Sequence, residues 1–72
     1  MYTIDIYEDY ANDILRATIE NPLSFEIEVR GDQIMLDYLQ PCAGGFVPMF
    51  TMREFIIKKD GKVCFQNLHN KP

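Results

Sequence analysis

Apolar and polar residues alternate most regularly from Phe25 to Tyr38, as two runs on either side of Gly31-Asp32. A two-residue loop at that pair sets Val29 opposite Ile34, Ile27 opposite Leu36 and Phe25 opposite Tyr38. Side chains alternate faces along a strand, so this register places all six apolar groups on one side. Glycine at the first loop position suits a type II′ turn, whose twist matches antiparallel strands. The opposite face carries Glu26, Glu28, Met35 and Asp37 and is acidic.

Upstream, Tyr2 to Tyr7 can alternate as a strand. From Glu8 to Glu20 the period changes: Tyr7, Ala11, Ile14, Leu15 and Thr18 follow one helix face. Glu8, Asp9 and Asp13 lie where a helix dipole favours negative charge. Asp5 and Glu8 have the spacing of a capping box, which would start the helix at Ile6 and shorten the strand. Both boundaries stay open. Asn21-Pro22 ends the helix, because the residue before proline avoids helical geometry.

Downstream, residues 40–49 break every pattern, with Pro41, Pro48 and the Gly44-Gly45 pair, and read as an apolar loop. Thr51 to Asn67 reads as a second hairpin. A three-residue loop, Lys59-Asp60-Gly61 with Gly61 left-handed, pairs Ile57 with Val63 and Phe55 with Phe65. The expected fold is α+β, in the order β-α-β-β-β-β: a small antiparallel sheet of two hairpins plus an N-terminal strand, covered on one face by a single helix. One domain spans residues 1–67, and residues 68–72 form a frayed tail.

Charge adds a second pattern. Residues 1–40 hold nine acids and two bases, net −7, whereas residues 41–72 hold two acids and five bases, net +3. An acidic half repels phosphate backbones, so direct nucleic-acid binding is disfavoured, while a basic protein surface would be attracted. A bland reading competes, in which the acids only keep a small protein soluble. No apolar run approaches a membrane span, and no signal peptide is evident, so a cytoplasmic location is expected. Cys42 and Cys64 are then expected to be reduced.

Motifs for chemistry are weak. Arg30-Gly31-Asp32 spells an adhesion tripeptide, but Gly and Asp are also what the turn requires. Cys42, Cys64 and His69 lack the paired spacing of a zinc site. Cys42 beside the glycine pair is the best nucleophile candidate, although a chain this short struggles to bury a reaction centre. Gly44-Gly45 lacks the lysine that follows in a phosphate loop. The expectation is therefore no enzyme, no cofactor and no metal.

What remains is a small acidic protein-binding module, an inhibitor or accessory factor acting on a basic, nucleic-acid-handling protein surface; a phage or mobile-element inhibitor is one concrete form. The candidate binding residues are Glu26, Glu28 and Asp37 on the acidic face, and Phe46, Val47, Met49 and Phe50 in the apolar loop. The competing reading of the loop is that it folds back to plug the sheet. The alternative function is a self-assembling subunit, a homodimer through the apolar loop or an edge strand.

Overall fold

The computed structural model describes residues 1–68, and seven strands account for most of them: β1 (Tyr2–Asp9), β2 (Ile14–Glu20), β3 (Phe25–Arg30), β4 (Gln33–Cys42), β5 (Gly45–Thr51), β6 (Phe55–Lys59) and β7 (Lys62–Asn67). They form two antiparallel sheets, one of four strands in the order β2-β1-β6-β7 and one of three in the order β3-β4-β5. Both sheets contribute to one core. Ile4, Ile6, Ile19, Phe55 and Ile57 of the first meet Leu36 and Tyr38 of the second. The molecule is thus an all-β, two-sheet sandwich.

The expected α+β fold with a covering helix is overturned, since no helix occurs among the described residues. The segment read as helical is the tail of β1, a turn and β2. Local side-chain bonding wins there over helical spacing. The Asp9 carboxylate accepts hydrogen bonds from the Asn12 side chain at 2.7 Å and the Asn12 backbone N–H at 3.4 Å. Asp13 N–H donates to the Tyr10 carbonyl at 3.0 Å, and Asp13 adopts φ 56°, closing the turn. The supposed capping acids serve strands instead: Asp5 accepts from the Thr18 hydroxyl at 3.0 Å, and Glu8 accepts from Arg16 at 2.8 Å. Asn21 is left-handed as expected, at φ 54°, but it follows a strand.

The first hairpin has the expected register throughout, Phe25 opposite Tyr38 through Val29 opposite Ile34. Gly31 has φ 62°, as the first central position of a type II′ turn requires. Five of the six apolar groups join or pack on the core; Val29 stays 67% exposed.

The second hairpin differs from expectation. Its loop is the two-residue pair Asp60-Gly61, both left-handed at φ 53° and 84°, the signature of a type I′ turn. The expected pairs Ile57–Val63 and Phe55–Phe65 do not form: Val63 lies opposite Lys58, a bulge follows at Cys64, and Ile57 then pairs with Phe65 and Phe55 with Asn67. The bulge restores Phe65 to the core side, where its ring stacks on Phe55 at 5.9 Å.

Residues 40–49 are also corrected, from loop to hairpin. β4 and β5 pair from Leu36↔Thr51 to Cys42↔Gly45, closed by Ala43-Gly44 with Gly44 at φ 95°. Proline is tolerated because β5 is an edge strand, and because Pro41 lies beyond the end of β3. This hairpin is an arm reaching past the core: every residue from 41 to 50 is exposed, so it plugs nothing. Of the frayed tail expected at 68–72, residues 69–72 lie outside the described region.

Candidate functional interface

Residues directly opposite in an antiparallel pair share a face, so the register sorts the second sheet into an inner side and an outer side. Leu36, Tyr38 and Thr51 face the core. Outward, three rows cross the strands. Glu26, Asp37 and Phe50 form one row, Leu39 and Pro48 the next, and Pro41 and Phe46 the last. On the other flank of the first row stand Glu28 and Met35. The outer face thus grades from acidic to apolar along the arm.

The seven residues singled out in the sequence divide between the two sides. Glu26, Glu28, Asp37, Phe46 and Phe50 share the outer face, whereas Val47 and Met49 pair with Gln40 and Tyr38 and lie on the inner side of the arm. Leu39, Pro41 and Pro48 were missed. The signal was present as the two-residue period of Phe46, Pro48 and Phe50, masked by reading proline as a loop marker.

Two grooves flank these residues. An open groove of about 490 Å³ is lined by outer-face residues Glu26, Asp37, Leu39 and Pro48 together with Ser24 and the inner-face residues Phe25, Tyr38 and Met49. A second, of about 270 Å³, runs between the arm and β2, with Ile19, Tyr38 and Met49 on its walls and Arg16 and Arg53 at its mouth. Burial raises the Tyr38 phenol above its ordinary value, with a smaller opposing effect from the Arg16 charge.

The acids differ in their engagement. Glu28 pairs with Arg30 at 3.1 Å. Glu26 and Asp37 take part in no ion pair among the described residues, and they stand side by side across β3 and β4. Phe50, beside Asp37, is 65% exposed. The outer face of the four-stranded sheet has a different character. There Asp5 is satisfied by Thr18 and by Lys58 at 3.4 Å, Thr3 and Gln66 are polar neighbours, and the exposed apolar residues Leu15 and Val63 stand apart on β2 and β7. Ile56 points outward on that sheet yet is only 6% exposed.

The other motifs have the following surroundings. Arg30 is held by Glu28 beside the Gly31-Asp32 turn. Of the lysine cluster, Lys58 serves Asp5, and the Lys59 ammonium lies 5.6 Å from the centre of the Tyr2 ring. Cys42 and Cys64 are free and exposed, with Cys42 at the tip of the arm opposite Gly45. No group of three or more metal-binding side chains occurs among the described residues, and His69 lies outside them. No helix of the described residues is long and apolar enough to cross a membrane.

Fold and surface together define a small antiparallel sandwich with one outer face graded from acid to apolar. Comparison with protein families, curated proteins and solved structures finds no match to this chain.

Proposed function

We propose that this protein is a binding module that engages another protein through the outer face of β3-β4-β5, as an inhibitor or accessory factor does. The observation that carries this reading is the row Glu26, Asp37 and Phe50, with acids that form no ion pair among the described residues abutting an exposed aromatic and the apolar rows beyond it. Interface cores favour aromatic anchors, and charge at their margins steers encounter. The complementary partner carries a basic rim beside an apolar recess. A protein surface that handles nucleic acid has that charge, and it is the partner class we favour.

Self-association through the same face is the rival. Two copies stacked there would bring acidic rows together, and like charges across an interface oppose binding. A dimer that survives dilution, lost in Phe50→Ala, would replace the module reading.

The test is capture of a partner from source lysate, followed by binding kinetics with the purified partner. Glu26→Lys with Asp37→Lys is expected to slow association and flatten its salt dependence. Phe50→Ala is expected to speed dissociation, costing about 1–3 kcal/mol for an anchor. A partner bound equally well by the wild type and both variants would overturn the assignment.

A further inference from the structure

The sandwich has four edge strands, β2 and β7 on one sheet and β3 and β5 on the other. An open edge presents unpaired N–H and C=O groups to any passing strand, and folds commonly interrupt such edges with bulges or proline. Three edges here are interrupted. β2 is bulged at Arg16, where the register jumps from Ile6↔Ala17 to Tyr7↔Leu15. β7 is bulged at Cys64. β5 carries Pro48 in its middle. β3 alone has neither device, and only its charged side chains Glu26, Glu28 and Arg30 guard it. Its six residues pair with β4 in unbroken register, and among the described residues it pairs with no other strand.

Side chains along β3 specify what this edge accepts. Glu26 and Glu28 stand on the outer face, and Phe25, Ile27 and Val29 on the inner one. Val29 is apolar and 67% exposed, so the edge ends in an apolar group that the core does not cover. A second copy is a poor occupant. With both cores on one side, two antiparallel registers of five residues exist: Phe25 against Val29 sets Glu26 against Glu28 twice, and Glu26 against Arg30 still sets Glu28 against itself, so each places like charges directly opposite, which destabilises a strand pair.

We propose that β3 accepts an extended segment of a partner protein as a fourth strand of its sheet, and that this segment alternates basic and apolar residues. Basic side chains lie opposite Glu26 and Glu28, and apolar ones cover Ile27 and Val29, while backbone hydrogen bonds hold the segment in place. The inference rests on the reading of this sheet as a partner-binding surface, and it names the chemistry of what binds.

The probe is a capped octapeptide of alternating lysine and valine, titrated into isotope-labelled protein and followed by NMR. Saturable shifts along β3, with slowed hydrogen exchange at alternate β3 amides, are expected. A peptide N-methylated along one edge, and one with glutamate in place of lysine, are expected not to bind. Val29→Lys places a charge in the path of the incoming strand at an already exposed position. It is expected to weaken the peptide about tenfold or more, a change of about 1.4 kcal/mol, without altering the melting temperature. Equal binding of the N-methylated peptide, shifts confined to another edge, or indifference to Val29→Lys would each overturn the proposal. If the peptide fails while Phe50→Ala still weakens the captured partner, the edge inference alone falls. If the peptide binds while outer-face variants leave the partner untouched, the assignment of the outer face falls instead.

Discussion

Glu8 and Arg16 are each the extra residue of a bulge in their own strand, and their side chains meet at 2.8 Å. The two register jumps in the β1–β2 pair, one on each strand, bring them together. Arg53, just before β6, adds a second guanidinium at 3.3 Å. The Arg16 hydrogen bond, followed by the charge of Arg53, holds the Glu8 carboxyl below its ordinary value. Its contribution to stability is therefore fully present above the ordinary glutamate range and is lost as pH falls through the depressed folded value. Denaturant midpoints measured from neutral pH into acid should show a small decline that Glu8→Gln removes. The pair is exposed, so added salt should shrink the difference.

Gly31 and Gly61 both adopt left-handed backbone, and a Cβ at either would meet nothing within 4 Å. The cost of a side chain there is conformational alone. Alanine at either position should cost about 1–2 kcal/mol, from the left-handed penalty of L-residues, and valine more. An unchanged urea midpoint for Gly61→Val would contradict the type I′ turn.

Phe55 and Leu36 are fully buried on opposing sheets. Phe55→Ala should cost about 3–5 kcal/mol and Leu36→Ala about 2–5 kcal/mol, from lost burial plus the cavity left behind. In so small a core either change should unfold most of the protein, which circular dichroism would read directly.

The arm should behave as surface. Phe46→Ala and Phe50→Ala should each shift stability by less than about 0.5 kcal/mol, as exposed substitutions do. Unfolding by either would restore the plug reading that the exposure of residues 41–50 removes.

Tyr38 has a buried ring, and its hydroxyl makes no hydrogen bond among the described residues. Tyr38→Phe should therefore leave stability nearly unchanged, because no buried partner is orphaned. A loss of more than about 1 kcal/mol would mean that the hydroxyl is bonded in solution.

The Phe25–Tyr38 hairpin was legible because one register alone gathers its apolar residues, and its turn chemistry agrees with that register. The second hairpin was legible in the position of its turn but not in its register: matching Ile57 to Val63 and Phe55 to Phe65 gathers apolar residues, yet the two-residue turn and the bulge at Cys64 give Ile57 to Phe65 and Phe55 to Asn67 instead. β2 was misread because Ile14, Leu15 and Thr18 fit a helical stripe, while what decides their state is a carboxylate–amide bond at Asp9 and pairing with β1. The arm was misread because proline signals a break, and whether a strand lies at an edge is a property of the whole sheet. Of the site, the acidic members followed from the hairpin. The sorting of Phe46 and Phe50 from Val47 and Met49 had to wait for the arm to be a strand.

The four-stranded sheet places β1 between β2 and β6, so residues near the start of the chain find their second neighbour more than fifty positions later. The three-stranded sheet lies wholly within residues 25–51, with each strand next to its successor. During synthesis the meander can therefore assemble while β1 still lacks a partner on one side. Distant pairings are slow to form because the intervening chain must first be brought to order. By contact order, docking of β6 onto β1 is the slowest pairing expected, and until it occurs β1, an interior strand of the larger sheet, is itself an open edge.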